Sequence, residues 1–177
     1  MANVDTPTGF KPFMQGRKTP RVTRYYHASG DGTAIFIGDP VVKTGTAHTD
    51  LDSTLIVAAS GKDGVVTGVA ANYVALSTGG YVDVYDAPLQ EFIAQADTGH
   101  TPVVADMGSN VDLVAGAGST TTFLSGYELD FNTAGTSVSL SAKIRSLNKR
   151  MDNLMGAHAD FVVTFNEHTE ADNTAGI

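Results

Sequence analysis

Short apolar runs separated by turn residues dominate the chain from residue 31 onward. Residues 80–88, GYVDVYDAP, alternate with a period of two, which is typical of a strand with one buried face. Polar and aromatic side chains share one face of this strand, and valines occupy the other: Tyr81, Asp83 and Tyr85 against Val82 and Val84.

The same rhythm continues through the rest of the chain. Further strands are predicted at residues 54–61, 136–144 and 159–168, and a broken strand pair at residues 65–76. Residues 89–97 fit one helical turn or a strand, and residues 145–156 fit a loop or a single helical turn better than a longer helix. About eight to ten short strands, with turns every 8–12 residues, predict an all-β fold: an antiparallel, jelly-roll-like sandwich or barrel.

The first 30 residues lack a sustained period. Pro7, Pro12 and Pro20 interrupt helices, and apolar side chains occur singly. Such a segment cannot build a core of its own. We therefore predict an extended arm over residues 1–30, a β body over 31–170 and a polar tail over 171–177.

Charge sharpens this division. The formal net charge is −8, yet residues 1–30 contain five basic residues and Asp5 as the single acid. An acidic body argues against nucleic acid as a partner, because phosphates require cations. The basic leader is interpreted as a binding arm, with cations that steer it and aromatics that anchor it. Its candidate binding residues are Phe10, Lys11, Phe13, Arg17, Lys18, Arg21, Arg24 and Tyr25.

Candidate chemistry is sparse. There is no cysteine, so disulfides and thiolate chemistry are excluded. The chain has no run of about 20 apolar residues, so no membrane partner is predicted. No metal or other cofactor is predicted, because no histidine pair has metal-ligand spacing and isolated surface histidines are expected. Those histidines are His27, His48, His100, His158 and His168.

Two alternatives remain open. Asp83 and Asp86 are a tempting carboxylate pair, but three residues apart on a strand they point to opposite faces. A carbohydrate-binding module that holds a weakly bound surface glycan would use Tyr73, Tyr81 and Tyr85. A hydrolase would need carboxylates brought together from distant strands.

Three segments resemble one family. These are MANVDTPTGFKP at the start, VDVYDAPLQEFIAQAD in the middle and RMDNLMGAHADFVVTFNEH near the end. Their order and spacing resemble the capsid decoration, or cement, proteins of tailed phages, although Met151 stands where the pattern usually has proline. The matching positions after the opening segment are Asp86, Pro88, Gln90, Phe92, Gln95, Arg150, Asp152, Asn153, Gly156, Ala159, Asp160, Asn166 and His168.

The resemblance implies a structural, non-enzymatic virion protein. Such a protein binds the outer surface of the shell of its own phage, through the major capsid protein, after assembly in the host cytoplasm. A homotrimer is expected, since the runs TLIVAAS, TPVVAD and NVDLVAGAG offer apolar surface for neighbouring copies. Removal of residues 2–24 is expected to leave the body folded.

Overall fold

A computed structural model describes residues 3–13, 19–50, 54–59 and 64–171. The all-β prediction is confirmed. Among these residues the helical structure is one 3₁₀ turn at Val104–Asp106. The strands are β1 (Lys11–Pro12), β2 (Val22–His27), β3 (Pro40–Ala47), β4 (Leu55–Ala59), β5 (Gly68–Ala70), β6 (Gly80–Tyr85), β7 (Phe92–Gln95), β8 (Asn110–Val114), β9 (Glu128–Gly135), β10 (Ala142–Leu147) and β11 (Asp160–Phe165).

Five strands close into a small barrel in the order β2-β4-β3-β5-β6. β2 pairs antiparallel with β6 from Val22–Tyr85 to His27–Gly80. On its other edge β2 pairs parallel with β4, and this closes the ring. Closure removes exposed strand edges, which otherwise invite pairing with other chains.

The other six strands form an antiparallel sheet in the order β1-β7-β11-β10-β8-β9. A bridge joins Ala96, just after β7, to Leu129 of β9. The Asp97 amide also donates to the Leu129 carbonyl at 3.0 Å. The far edge of the sheet therefore curls back toward β7 and encloses an interior.

Each sheet has its own hydrophobic core. The barrel is filled by Tyr25, Ile35, Val41, Val57, Ala70, Val74, Val82 and Val84. The curled sheet is filled largely by aromatic and long aliphatic side chains, among them Phe10, Phe92, Leu113, Leu129, Phe131, Ile144, Phe161 and Phe165. Val66 and Val69, from the barrel side of the chain, also belong to this second core and connect the two parts.

The observed strands match the strands predicted from the local sequence pattern only in part. β6 buries Val82 and Val84 as the alternation predicted. Residues 89–97 contain a strand, β7, and not a helical turn. The strand predicted at 136–144 is wrong over its first half. β10 begins at residue 142, and Val138 is 80% exposed in the preceding turn.

The predicted arm boundary at residue 30 is not what the structure shows. Residues 22–27 are β2, a closing strand of the barrel, and Phe10 is buried in the core of the curled sheet. Both segments gain their order from partners distant in sequence. Removal of residues 2–24 would therefore remove Phe10 from one core and half of β2 from the barrel, so the remainder is expected not to fold.

No helix in the described ranges is long and apolar enough to span a membrane.

Candidate functional site around the N-terminal segment

Residues 3–13, here called the N-terminal segment, are fastened to the curled sheet by Phe10. This side chain is 1% exposed and packs against Phe165 with ring centroids 5.3 Å apart. Its amide donates to the Gly38 carbonyl at 2.9 Å. Gly9 before it has a φ of 65° and no room for a side chain, since a Cβ would lie 2.4 Å from that of Ser125. The Gly-Phe pair is therefore a docking element of the fold.

Lys11 and Phe13 lie where the segment runs along β7. Lys11 is exposed on β1, a two-residue strand at the edge of the sheet. The Phe13 amide donates to the Glu91 carbonyl at 2.8 Å, and Gln90 Nε2 donates to the Phe13 carbonyl at 3.1 Å. Phe13 is half-buried by this contact. Of these two predicted binding residues, only Lys11 is exposed to solvent.

Arg21 and Tyr25 serve the barrel through Asp86, whose side chain is fully buried. Arg21 Nε donates to Asp86 Oδ1 at 2.7 Å, and the Tyr25 hydroxyl donates to Oδ2 at 2.9 Å. Burial acts to raise the pKa of Asp86, but hydrogen bonds from Arg21, Thr23 and Tyr25 outweigh it and leave the pKa lowered. Burial raises the pKa of Tyr25 in turn.

Arg24 forms a second ion pair on the outside of the same barrel. Its Nε and Nη2 bind the two carboxylate oxygens of Asp83 at 2.8 and 3.0 Å. The arginine also lies over the Tyr81 ring, 5.6 Å from its centroid. Asp83 and Asp86 thus pair with different arginines and do not form a carboxylate pair with each other. Arg17 and Lys18, also predicted to bind, lie outside the described residues.

Gln95 at the end of β7 is the central clamp on the N-terminal segment. Its Nε2 donates to the carbonyls of Val4 and His158, both at 3.0 Å. Its Oε1 accepts from the Thr6 amide at 2.9 Å. The buried side chain therefore joins three stretches of chain.

Asn3 makes the next contact, to the connection between β10 and β11, here called the anchor loop (residues 148–159). Asn3 Nδ2 donates to the carbonyls of Leu154 and Ala157 at 2.7 and 2.9 Å. Its Oδ1 accepts from the Leu154 amide at 3.0 Å. One half-buried side chain thus satisfies three backbone groups of the loop.

The anchor loop has internal supports of its own. The Asn153 side chain is buried, donates to the carbonyls of Asn148 and Asp160 and accepts from the Asp160 amide. Arg150 lies 3.1 Å from an oxygen of Asp152 and 3.0 Å from one of Asp160. These bonds are internal to the loop and fix its shape without the N-terminal segment.

A cleft of about 470 Å³ lies between the N-terminal segment, β7 and the anchor loop. Lys11 and Arg150 contribute cations to its walls, and Asp152 and Asp160 contribute carboxylates. Three exposed apolar side chains belong to the segments that form it: Val4, Met151 and Leu154. Both of these carboxylates pair with Arg150. The hydrolase hypothesis stays a prediction.

The three segments that carry the family resemblance meet at this cleft. The opening segment supplies Asn3 and Lys11, the middle segment supplies Gln95, and the end segment supplies most of the anchor loop. Sequence reasoning had named Gln95 and Asn153 as matching positions without a role. The partners of Gln95 lie 63 to 91 residues away in the sequence, and no local pattern indicates such contacts.

A histidine and two carboxylates also converge beside the segment. One ligand atom each from Asp5, Glu128 and His158 lie within 4.8 Å of one another. Burial, with Asp5 and Asp97 nearby, raises the pKa of Glu128 to about 7.

The expectation of isolated surface histidines is therefore wrong for His158. It is also wrong for His27 and His168, which are buried. Each is enclosed by segments distant in sequence, which the spacing of histidines along the chain does not reveal.

The three tyrosines of the carbohydrate hypothesis lie in different surroundings. Tyr73 packs between Phe36 and Phe123, with ring centroids 5.3 and 4.6 Å away. Tyr81 packs edge-on against Tyr26, and Tyr85 packs against the core of the curled sheet. Tyr81 and Tyr85 share a strand face, but each is engaged with its own neighbours.

No protein-family model, curated protein or solved structure matches this chain.

Proposed function

We propose that this chain is a structural protein of a tailed-phage virion that binds the outer surface of the capsid and stabilises the shell. The observation that carries the proposal is the meeting of the three resembling segments at one cleft. Resemblances scattered over a chain of 177 residues, if accidental, would have no reason to contact one another. Here Gln95 and Asn3 join them by direct hydrogen bonds.

The capsid-facing surface in this proposal is the cleft and its rim, not a free basic arm. Arg21 and Arg24 form ion pairs with Asp86 and Asp83 within the barrel, so most of their positive charge is neutralised inside the chain. Lys11 remains exposed, and Met151 is fully exposed on the anchor loop. Apolar anchors within a polar rim are the usual composition of a protein–protein interface.

A homotrimer remains part of the proposal, with a smaller surface than the apolar runs predicted. Val111 and Leu113 of NVDLVAGAG and Val57 of TLIVAAS are buried inside the protomer. Val103 and Val104 of TPVVAD are exposed, and these are the residues we assign to contacts between copies. Sedimentation equilibrium of the free protein, with a Val104→Asp variant, tests that assignment.

Co-sedimentation with empty capsids of the same phage tests the function. The wild-type protein should pellet with the capsids, and the double variant Met151→Asp/Leu154→Asp should bind at least about tenfold more weakly, because charge at an apolar anchor opposes desolvation. Leu89→Asp is the control, since Leu89, 83% exposed, lies between Leu154 and Met151 in exposure but belongs to the connection between β6 and β7 and not to the anchor loop.

The outcomes separate two claims. If the wild-type protein does not pellet with capsids, the decoration function is overturned. If it pellets and the double variant pellets equally well, the function stands and the assigned surface is wrong.

A carbohydrate-binding module is the second candidate, and one observation favours it. Phe36, Tyr73 and Phe123 form an aromatic cluster, of which Phe123 is exposed, and sugars stack on such faces. A glycan array with the wild-type protein and Phe123→Ala distinguishes this role from capsid binding.

A further inference from the structure

Asp5, Glu128 and His158 come from three separate parts of the chain. Asp5 is on the N-terminal segment, Glu128 is the first residue of β9, and His158 ends the anchor loop. Their potential ligand atoms lie within 4.8 Å of one another, and His158 Nδ1 is 3.7 Å from Asp5 Oδ1. The fold thus gathers one imidazole and two carboxylates at one point.

Two of these atoms are buried without a hydrogen-bond partner. Over the described part of the chain, neither Glu128 Oε1 nor His158 Nδ1 has one. Buried polar atoms are satisfied in the great majority of cases, because an unsatisfied group costs desolvation without return. Both orphaned atoms belong to side chains of this cluster, so a single species bound there is in a position to satisfy both.

The charges of the cluster favour a cation as that species. Two carboxylates in contact repel each other when ionised, and Asp97 adds a third negative charge close to Glu128. We propose that Asp5, Glu128 and His158 form a binding site for a divalent transition-metal ion of the zinc type. This proposal stands on the described geometry and does not depend on the capsid function.

The ligand set selects the kind of metal. Imidazole nitrogen together with carboxylate oxygen suits Zn²⁺ and its first-row neighbours, whereas Ca²⁺ and Mg²⁺ prefer oxygen alone. Bonds of about 2.0–2.2 Å place tetrahedral ligand atoms roughly 3.4 Å apart, so the three side chains need to close by about 1 Å. Asp5 is half-exposed and free to make that movement. Three protein ligands leave a further position for water.

The position of Asp5 gives the site a structural consequence. A metal held by Glu128 and His158 would draw the N-terminal segment onto the curled sheet, beside the bonds that Gln95 makes to Val4 and Thr6. Metal binding is therefore coupled to the order of the segment.

Isothermal titration of ZnCl₂ into EDTA-treated, dialysed protein at pH 7.5 tests the proposal. One equivalent should bind, and CaCl₂ should give no comparable heat. Glu128→Gln and His158→Ala should each weaken Zn²⁺ binding by at least about tenfold, as loss of a group at a metal site does. Hydrogen exchange of residues 3–8 should slow when Zn²⁺ is added to the wild-type protein.

His100→Ala is the matched control, because His100 also lies beside a carboxylate, 3.4 Å from Asp106, but on the surface. Its Zn²⁺ affinity should equal that of the wild-type protein. Absence of saturable Zn²⁺ binding overturns the proposal, and so does binding that is lost in His100→Ala or unchanged in Glu128→Gln. Glu128→Gln is close to isosteric and Asp5→Asn alters an exposed side chain, so both variants keep the test open if His158→Ala misfolds.

Discussion

The two cores of this protein are built from different side chains. The barrel interior contains five valines among its eight buried residues, with Tyr25 as its aromatic member. The core of the curled sheet contains five phenylalanines, one of which, Phe10, comes from outside the sheet. A five-stranded barrel has a narrow interior that short β-branched side chains fill, whereas the curled sheet encloses more space and needs rings.

The difference has a consequence for how each part depends on the chain before residue 30. The barrel takes a whole strand from it, β2, which is held by backbone pairing on both edges. The curled sheet takes mainly one side chain, Phe10, and a short edge strand. Damage to the first region should therefore act through the backbone and ion pairs, and damage to the second should act through a cavity.

The largest expected effect is that of Phe10→Ala. Truncation of a buried phenylalanine leaves a cavity and should lower the free energy of unfolding by about 3–5 kcal/mol. Val57→Ala, in the barrel core, removes less volume and should cost about 1–3 kcal/mol. Equilibrium denaturation of both variants measures the contrast. Equal losses would show that the two cores do not differ in the way their composition suggests.

The next effect concerns the ion pair of the barrel between buried Asp86 and half-exposed Arg21. Asp86→Asn should cost about 2–4 kcal/mol at pH 7, because Arg21 and Tyr25 lose the carboxylate between them. Asp83→Asn, which breaks the exposed pair with Arg24, is the matched control and should cost about 0–1 kcal/mol. Chemical denaturation at pH 7 compares them, and a loss for Asp83→Asn as large as that for Asp86→Asn would contradict the assignment.

The same pair predicts a response to acid. The pKa of Asp86 is lower in the folded than in the unfolded state. Its contribution to the free energy of unfolding is therefore complete above the unfolded pKa of about 3.9, and it is lost as the pH falls through the folded pKa. The stability difference between wild-type protein and Asp86→Asn should therefore narrow below about pH 4.

A smaller effect is expected at the clamp on the N-terminal segment. Gln95→Ala removes the hydrogen bonds to Val4, Thr6 and His158 and should cost about 1–3 kcal/mol. Amide exchange at Thr6 should accelerate. Gln90→Ala, whose side chain bonds instead to Phe13, should leave exchange at Thr6 unchanged. If Thr6 exchanges at the wild-type rate in Gln95→Ala, other contacts hold the segment.

The smallest expected effect is a gain in stability, in the variant Glu128→Gln. A folded pKa of about 7 for Glu128, above the unfolded value of about 4.3, means that the folded state binds the proton more tightly. The free energy of unfolding should therefore fall as the pH rises from about 4.3 to 7. In EDTA at pH 8, Glu128→Gln should be more stable than wild type by about 1–2 kcal/mol, after allowance for its partial exposure.

The gain should disappear near pH 4, where the wild-type carboxyl is protonated in both states. Denaturation curves at the two pH values provide the measurement, and a difference that does not vary with pH would contradict this account.

Local patterns were sufficient where a strand has one face in a core. The valines of β6 alternate because that strand has one side against the barrel interior. Residues 136–141 alternate as well, yet they form a turn, held by Asn166, whose side chain donates to the carbonyls of Val138 and Leu140. Periodicity records which positions are apolar, and it does not record whether a partner strand is present.

The candidate site was less accessible to sequence reasoning. The basic character of residues 1–30 suggested a free binding arm, but Arg21 and Arg24 meet acids 65 and 59 residues away. The Asp5–Glu128–His158 cluster joins residues from three distant segments, and nothing in the spacing of the five histidines points to it. The three segments that carry the resemblance contact one another in the fold, and their spacing along the chain does not reveal that contact.

The distance in sequence between the N-terminal segment and its partners bears on how the chain is made. Asn3 binds Leu154, 151 residues further on, and Phe10 packs against Phe165. At about 5–20 residues per second, synthesis keeps these residues apart for roughly 8–30 s. During that interval Phe10 is an exposed apolar side chain with its docking place not yet translated. Completion of the curled sheet therefore has to wait until β11 has been synthesised, and long-range pairing of this kind is slow.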